Sequence, residues 1–257
     1  MAESLFTARN LSVTFNQGDI PTTAVHDASV VVPKGSVTII YGASGSGKSS
    51  LLNVLSGLQQ PTKGMLRYNG ENLYNLSANE LAYYRAHELG IVYQNNYWVK
   101  SLSVLDNVAL PLYFIGENRA HAQQKAMVAL ERVHMQDYAK KLPHFLSGGE
   151  QQRVAMARAI VNDPPIIIAD EPTGNLDSNN GDQIIKLLTD FNASHSKTII
   201  LVTHNMEYLP IANHLLEIQD GRVTEIDAEA IPKTIATIIT EMQTRLTHFH
   251  KKETKDV

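Results

Sequence analysis

The sequence predicts an α/β fold whose core is a mainly parallel sheet covered by helices. Two uniformly apolar runs of strand length, residues 165–169 and 198–202, are separated by a segment of helical periodicity at about 181–194. Strands that are apolar on both faces and joined by helices are typical of a parallel sheet buried from both sides. The chain has 257 residues, 43% of them hydrophobic, so it can bury such a core in one domain.

The N-terminal part predicts a small antiparallel β subdomain. Apolar and polar side chains alternate with the period of a strand in residues 11–15, and residues 29–33 predict a second strand that ends in a turn. Residues 37–41 are a β-branched run that leads directly into a glycine-rich segment. A helical pattern follows at residues 49–58, so this stretch predicts a strand, a tight loop and a helix in succession.

A helical subdomain is predicted to be inserted after this unit. From about residue 77 to residue 162, apolar side chains recur at helical spacing, most clearly in residues 105–112, 120–133 and 154–161. We therefore divide the chain into a main domain, residues 1–226, with a helical subdomain at about 95–162, and a C-terminal helical extension, residues 227–257.

The C-terminal extension carries one apolar stripe of a helix. Its apolar residues recur at spacings of three and four, namely Ile231, Ile235, Ile238, Ile239, Met242, Leu246 and Phe249. Packing on this chain or on a dimer mate is one interpretation. A role at a membrane surface is the other, and it is disfavoured because the polar face of the helix is not strongly basic.

Composition limits the classes of function. Lys and Arg number 22 against 26 Asp and Glu, which gives a formal net charge of −4 and argues against a broad nucleic-acid-binding surface. The absence of cysteine excludes disulfides and thiolate metal sites. No apolar run approaches the roughly 20 residues that span a bilayer, and the first five residues lack the pattern of a secretory signal. Any membrane role is therefore expected to be exercised through partners.

The strongest motif is a phosphate-binding loop. Residues 42–49 fit the pattern G-x-x-x-x-G-K-[ST], with a strand before them and a helix after them. Glycines let backbone N–H groups turn toward phosphate oxygens at the positive end of a helix. Lys48 is expected to reach the β- and γ-phosphates of ATP, and Ser49 to ligate Mg²⁺. The predicted nucleotide-binding set here is Gly42, Ser44, Gly45, Ser46, Gly47, Lys48, Ser49 and Ser50.

Two acids follow a second apolar strand. Asp170 is placed at the strand terminus, where its carboxylate can hold the Mg²⁺ shell. The adjacent Glu171 is the candidate general base that polarises the attacking water. Taken alone, two acids after a strand are often a solvated strand end. Together with the phosphate-binding loop they predict nucleotide hydrolysis.

A second glycine-containing segment predicts a shared site. Ser147 and Glu150 have the spacing of a capping box that opens a helix, which is a sufficient structural explanation for those two residues. A cap does not need the two glycines inside it, and Ser147, Gly148 and Gly149 form a second phosphate-binding nest. One chain with one ATP has no use for two such nests. The expected arrangement is a head-to-tail dimer in which the nest of one copy completes the phosphate site of the other.

These motifs resemble the ATP-binding subunits of ABC transporters over about residues 5–226. The resemblance also includes Gln94, the Asn175-Leu176-Asp177 segment and His204, in the order of the family. It implies a P-loop NTPase fold of the RecA-like type, with an N-terminal antiparallel β subdomain and an inserted helical subdomain. It further implies that ATP and Mg²⁺ are the cofactors.

The resemblance assigns a role to each remaining site residue. Phe15 stacks on adenine, although ordinary strand packing is its alternative. Gln94 senses Mg²⁺ and the membrane partner, and Ser147 with Gly149 contacts the γ-phosphate held by the partner copy. Asp177 communicates across the dimer, whereas His204 contacts the γ-phosphate and holds Glu171 and the water in place.

A finer resemblance concerns the macrolide-efflux, lipoprotein-release and cell-division group of these subunits. It rests on residues 90–94, 106–112 and 171–177. The sequence departs from the group in residues 95–100, where leucines and a proline are common, and in a longer C-terminal tail. Tyr97 and Trp98 are expected to face the membrane subunit, with packing inside the helical subdomain as the alternative.

The resulting expectation is an ATPase subunit that closes with a second copy, or with a paralogous subunit, to drive transmembrane permease subunits. Export and mechanical transmission both fit. We expect the protein at the cytoplasmic face of the cell membrane, where its transmembrane partners hold it. Nucleic acid is not an expected partner. The alternative is a non-transport ABC ATPase that acts on nucleic acid or ribosomes, but the usual features of that class are missing from this sequence.

Overall fold

The computed structural model describes residues 3–16 and 21–253 and confirms the predicted α/β class. The strands are β1 (Ser4–Phe15), β2 (Thr22–Pro33), β3 (Val37–Tyr41), β4 (Lys63–Tyr68), β5 (Glu71–Asn72), β6 (Leu89–Val92), β7 (Ile166–Asp170), β8 (Thr198–Thr203), β9 (His214–Gln219) and β10 (Arg222–Ile226). The helices are α1 (Lys48–Leu55), α2 (Ala78–His87), α3 (Val104–Phe114), α4 (Arg119–Arg132), α5 (Gly148–Ile160), α6 (Ser178–His195) and α7 (Ile231–Glu253). Short 3₁₀ segments connect several of them.

The larger sheet has six strands in the order β10-β9-β3-β8-β7-β6. All neighbouring strands are parallel except β10, which pairs antiparallel with β9. Every residue of β3 and β8 is buried, because helices cover both faces of the sheet. This is why those strands appear in the sequence as continuous apolar runs rather than alternating ones.

The smaller sheet is antiparallel, with the strand order β2-β1-β4-β5. Its two long strands extend well beyond the short segments predicted from alternation. Asn10 and Asp27 have positive φ angles, and register shifts interrupt the β1–β2 pairing nearby. These irregularities break the period of two, which explains why the pattern revealed only part of each strand.

The helical region begins later than the apolar spacing from residue 77 indicated. α2 is a helix, but the next element is β6, which pairs with β7 at the edge of the larger sheet. α3, α4 and α5 follow and pack on one another around Val108, Ala126 and Ala155. A four-residue strand between helices is too short for its period to stand out, so the sequence pattern concealed it.

The helix α7 confirms the helical stripe predicted for the tail. Ile231 and Ile235 are buried in the core, and Ile238 and Ile239 pack against its margin, so this half of the stripe binds its own chain. The side chains of Leu246 and Phe249 lie outside the described residues. Within the part of the chain that the structure describes, no helix is long and apolar enough to cross a membrane.

Candidate functional site

Four of the predicted site residues lie together at the carboxyl ends of strands in the larger sheet. Four adjacent parallel strands, β3, β8, β7 and β6, end there, and their carboxyl ends are followed by Gly42, His204, Glu171 and, one residue further on, Gln94. Ligands of open α/β sheets bind outside the carboxyl ends of the strands. The strand order therefore brings together residues that are as much as 162 positions apart in the sequence.

Two glycines of residues 42–49 are required by close backbone contacts. Gly42 has φ 155° and Gly47 has φ 108°. A Cβ atom on Gly42 would lie 2.1 Å from the Ile218 carbonyl oxygen, and one on Gly47 would lie 2.1 Å from the Ala24 carbonyl oxygen. Backbone atoms cannot yield to such an overlap, so only glycine lets the loop fit between β2 and β9.

The loop encloses a cation and a hydroxyl group. The side chain of Lys48 is buried, and its Nζ donates to the carbonyl oxygens of Gly42 at 2.9 Å and Ala43 at 2.8 Å. Ser46 Oγ is buried and has no hydrogen-bond partner among the described residues. A buried ammonium at the N-terminus of α1 makes this loop an anion-binding site. Of the remaining predicted members, Ser44, Gly45 and Ser49 are exposed and Ser50 is half-buried.

A brace for this loop was missed in the sequence. The Gly221 N–H donates to the Ser46 carbonyl oxygen at 2.9 Å, and the Gly221 carbonyl accepts from the His26 N–H at 2.7 Å. Asp220 and Gly221 both have positive φ angles, as the tight turn between β9 and β10 requires. The Asp-Gly pair was a visible hairpin signal, but nothing local connects it with a loop 175 residues earlier.

Asp170 lies at the end of β7 and is half-buried, with its Oδ1 atom out of contact with solvent. Burial, followed by the charge of Glu171, raises the pKa of the Asp170 carboxyl, while Lys48 and a hydrogen bond from Ser49 oppose that shift. Its Oδ1 atom has no hydrogen-bond partner within the described residues. A buried carboxylate with a free oxygen, beside a hydroxyl, is the hard oxygen donor set that Mg²⁺ prefers. The structure thus places two of the three predicted metal residues together.

Glu171 is held in a strained backbone conformation beside a histidine. Its φ angle is 49°, in the left-handed region that costs a non-glycine residue about 1–3 kcal/mol. The Glu171 N–H donates to the Val202 carbonyl oxygen at 2.9 Å, which ties the residue to β8. The Glu171 carboxylate contacts Nδ1 of His204 through Oε2. This geometry suits a base whose orientation is fixed by a second side chain.

Gln94 and Phe15 lie at opposite parts of the site. The Gln94 side-chain amide is next to Gly174, where an added Cβ would meet Nε2 at 2.9 Å, so Gln94 adjoins the loop after Glu171. Phe15 is the last residue of β1 and pairs with Thr22 of β2. Two residues further along β2, the Ala24 carbonyl lies against Gly47, so Phe15 is near the phosphate-binding loop. Phe15 is 36% exposed, which is compatible with a stacking surface beside the loop as well as with partial strand packing.

The predicted nest opens α5 as a complete capping box. The Ser147 N–H donates to Glu150 Oε2 at 2.7 Å, and Ser147 Oγ accepts from the Glu150 N–H at 3.4 Å. Gly148 is exposed, and a Cβ there would make only ordinary contacts, with Leu176 at 3.6 Å and the Asn175 carbonyl oxygen at 4.0 Å. A Cβ on Gly149 would instead lie 2.3 Å from Asn180 Oδ1. Close packing on α6 is thus a reason for Gly149 that the sequence did not show.

Asp177 connects the nest with α6. It caps that helix, accepting the Asn180 N–H at 2.9 Å and the Asn180 side-chain amide at 2.7 Å. These hydrogen bonds hold the pKa of the Asp177 carboxyl below its usual range. Since Asn180 also lies against Gly149, it links the exposed Asp177 to the nest.

The nest does not share its neighbours with the phosphate-binding loop. The loop lies against Ala24, Ile218 and Gly221, whereas Gly148 lines a cavity of about 210 Å³ with Gln94 and other residues outside the loop, namely Asn95, Asn96, Gln151, Gln152, Pro172, Asn175 and Leu176. Two phosphate-compatible elements are therefore held on different parts of one chain.

Trp98, predicted to face a membrane partner along with Tyr97, is packed inward. Tyr97 is 73% exposed, but the Trp98 ring is partly buried against the core. Its Nε1–H donates to Gln151 Oε1 at 2.9 Å, and the Arg158 guanidinium lies 4.5 Å from the ring centroid. The alternative of packing within the helical region is therefore correct for Trp98.

Comparison with known proteins identifies relatives of one kind. Residues 25–174 match the ABC transporter family. The sequence is 39% identical over 219 residues to MJ1508 of Methanocaldococcus jannaschii, described as an uncharacterised ABC transporter ATP-binding protein; the match covers 85% of this chain and 97% of that one.

Solved structures with the same fold include dimers. MJ0796, described as a bacterial ABC transporter cassette in a dimeric structure, superposes with a TM-score of 0.80 at 34% identity, covering 86% of this chain and 97% of that chain. The same cassette is also known in a dimeric post-hydrolysis state with ADP and inorganic phosphate bound. CbiO1 of Clostridium perfringens, part of the ABC transporter complex CbiONQ, has a TM-score of 0.80 at 25% identity, covering 97% and 99% of the two chains.

Proposed function

Because this chain belongs to the ABC transporter family and is an ATP-binding and hydrolysing subunit of that family, we propose that two copies close head to tail around two ATP molecules to drive separate transmembrane subunits. One observation carries the proposal. The phosphate-binding loop and the Ser147-Gly148-Gly149 nest both suit a phosphate, but they occupy different parts of the chain. Each is complete only when a second copy, or a paralogous subunit, faces it.

The residues at the strand ends have distinct roles in hydrolysis. The loop N–H groups and Lys48 bind the β- and γ-phosphates, and they stabilise the charge that develops as the terminal phosphoryl group is transferred to water. Glu171 takes a proton from the attacking water, and His204 holds that carboxylate in place. Phe15 supports adenine, and Asp177 lies near the seam between copies.

We assign Mg²⁺ to Ser49 and Asp170, with Gln94 near the same position. The unpartnered Oδ1 of Asp170 and its neighbouring hydroxyl support this assignment. When bound, the ion neutralises phosphate charge and orients the terminal phosphoryl group. Because Oδ1 of Asp170 has no hydrogen-bond partner within the described residues, this oxygen is available for the ion.

Permease subunits are the proposed membrane partners, and a groove supports their docking. A cavity of about 620 Å³ runs between α2, β6 and α3, and its lining includes Arg85, Ile91, Tyr93, Tyr97 and Phe114. Phe114 is 84% exposed and Tyr97 is 73% exposed, and exposed aromatic side chains are common anchors at protein interfaces. A membrane-facing helix end or loop of a permease is the proposed occupant.

The finer assignments follow from this partnership. The cell membrane's cytoplasmic face is the proposed location, and the macrolide-efflux, lipoprotein-release and cell-division group is the proposed subgroup. Residues 1–226 form the proposed cassette, with a helical subdomain at about 95–162 and an extension at 227–257. The dimeric cassette structures and the membership of CbiO1 in a transporter complex support these proposals by likeness. An acidic net charge disfavours the nucleic-acid alternative.

The test is the molar mass of the Glu171→Gln variant, measured by light scattering with and without Mg-ATP. Removing the base should lower ATP turnover by about 10²–10⁴-fold, leave binding intact and trap the closed dimer. Ser147→Arg added to this variant should prevent dimer formation, while ATP still binds to the phosphate-binding loop. A mass that stays monomeric with ATP, or normal pairing of the Ser147→Arg form, would exclude the shared site in the isolated chain.

A further inference from the structure

The segment around Gln94, residues 93–98, is hydrogen-bonded to the helix α5 at three points. Tyr93 accepts a hydrogen bond from Gln152 Nε2 at 3.3 Å, before Gln94. After Gln94, the Asn96 carbonyl accepts from Arg158 at 2.6 Å. The third point is Trp98, whose indole donates to Gln151. The three hydrogen-bond partners, Gln151, Gln152 and Arg158, all belong to α5, the helix that begins at the nest.

Trp98 is the contact that leads directly to the nest. Gln151 accepts the indole N–H through Oε1 at 2.9 Å, and through Nε2 it donates to the Leu146 carbonyl oxygen at 3.0 Å. Leu146 immediately precedes Ser147, the first residue of the nest. One side chain therefore joins the indole to the backbone that sets the position of the nest.

The remaining surroundings make the indole a rigid connection. The Arg158 guanidinium lies over the ring at 4.5 Å while it also bonds Asn96, so the ring is clamped on one face. On the far side, the buried Asn107 accepts the Val99 N–H at 3.0 Å and donates to the Val99 carbonyl at 3.1 Å. Because the Trp98 ring is tightly packed between these groups, a shift of the backbone on one side of the ring also shifts the groups on the other side.

We propose that Trp98 is a positioning residue that couples the Gln94 segment, at the phosphate site of its own copy, to the nest that receives the partner's phosphate. The proposal rests on the proposed shared site and adds a residue that links its two halves within one chain. Gln94 adjoins the loop after Glu171, and a movement there reaches Ser147 through Trp98, Gln151 and Leu146. Trp98 acts on the nest through Gln151 and Leu146, which makes it a positioning residue and not a catalytic one.

Dimerisation is the first readout, measured in the Glu171→Gln background. Trp98→Phe keeps the ring over Arg158 but removes the donor. Gln151→Met, at similar volume, removes the acceptor together with the Nε2 donor to Leu146. Each should raise the Mg-ATP concentration for half-maximal dimer formation about 5- to 10-fold, because each loses a hydrogen bond in the connection. The double variant should be no worse than the worse single variant, since both act on one connection. Tyr113→Phe, which removes a hydroxyl bond to Asp106 in the same helical region, is the control and should change nothing.

Fluorescence provides a second readout, because Trp98 is the only tryptophan of the chain. In the Ser147→Arg form, which binds ATP without pairing, Mg-ATP should change the Trp98 emission if the Gln94 segment moves it. ATP affinity of that form should stay within about twofold after Gln151→Met, because the P-loop is untouched. A purely structural role would lower thermal stability and leave both the emission response and the ATP dependence of pairing unaltered.

The outcomes separate the two proposals. If Glu171→Gln itself fails to dimerise, the shared site is wrong and the coupling through Trp98 is overturned with it. If Glu171→Gln dimerises and Trp98→Phe needs no more ATP, or if the single effects add in the double variant, only the role of Trp98 is overturned. An emission that does not respond to Mg-ATP has the same consequence.

Discussion

Gly149→Ala tests whether the second glycine of the nest serves packing on α6. The new Cβ would lie 2.3 Å from Asn180 Oδ1 and 2.6 Å from its Cγ, so the amide must move by about 1 Å to regain ordinary contact. That movement strains the 2.7 Å hydrogen bond from Asn180 to Asp177. Overpacking costs about 1–3 kcal/mol, and a lost hydrogen bond adds about 1 kcal/mol.

The helix itself offsets part of this cost. Alanine is better than glycine within a helix by about 0.5–1 kcal/mol, which leaves a net loss of about 1–3 kcal/mol for Gly149→Ala. For a chain of this size, that corresponds to a fall in Tm of about 2–12 °C. Gly148→Ala is the matched control, because its Cβ would come no closer than 3.6 Å to any neighbour, and its Tm should stay level or rise slightly.

Thermal and urea unfolding of the two variants give the measurement. Adding Asn180→Ala should rescue Gly149→Ala in part, because it removes the two colliding atoms and leaves only the Asn180 Cβ at 3.1 Å. The two substitutions should therefore be non-additive. If Gly149→Ala unfolds at the temperature of Gly148→Ala, close packing is not the reason for this glycine, and backbone contact with phosphate remains as its explanation.

Two further predictions concern the phosphate site. Lys48→Ala should weaken ATP binding about 10- to 100-fold, because a charge-assisted contact is lost. Titration with a fluorescent nucleotide measures this affinity. Lys34→Ala, which removes only an exposed ion pair, is the control and should bind ATP normally. Asp170→Asn should raise the Tm of the nucleotide-free chain at about pH 7.5, because a carboxyl with a raised pKa in the folded state loses stability as pH rises past its ordinary range. The gain should shrink as pH falls through the raised pKa of the folded Asp170 carboxyl, which then takes up its proton. A gain that grows on acidification would contradict the direction of the pKa shift.

Most of the fold was predictable because its signals are local. The strand predicted at residues 37–41 coincides with β3. The helices predicted at 105–112, 120–133 and 181–194 correspond to α3, α4 and α6, and their bounds differ from the observed ones by at most three residues. β4, β5, β6, β9 and β10 were not predicted. They are short or partly polar, and their register depends on strands distant in sequence rather than on their own period.

What the sequence by itself determined is the chemistry that depends on short spacing. The phosphate-binding loop, the acids after β7 and the capping box each lie within eight consecutive residues, so backbone geometry alone relates their members. Membership of the ABC transporter family followed from the order of these motifs, and the matched relatives confirm it.

Only the tertiary structure decided which distant residues complete these motifs. Gly47 needs the absence of a side chain because Ala24 lies against it, Ser46 is braced by Gly221, and Gly149 makes room for Asn180. Trp98 turned from an expected docking residue into a connection to Gln151. Each contact depends on the order of strands and the packing of helices, and a spacing rule within one segment carries no information about either, because neighbours in a sheet are set by the whole chain.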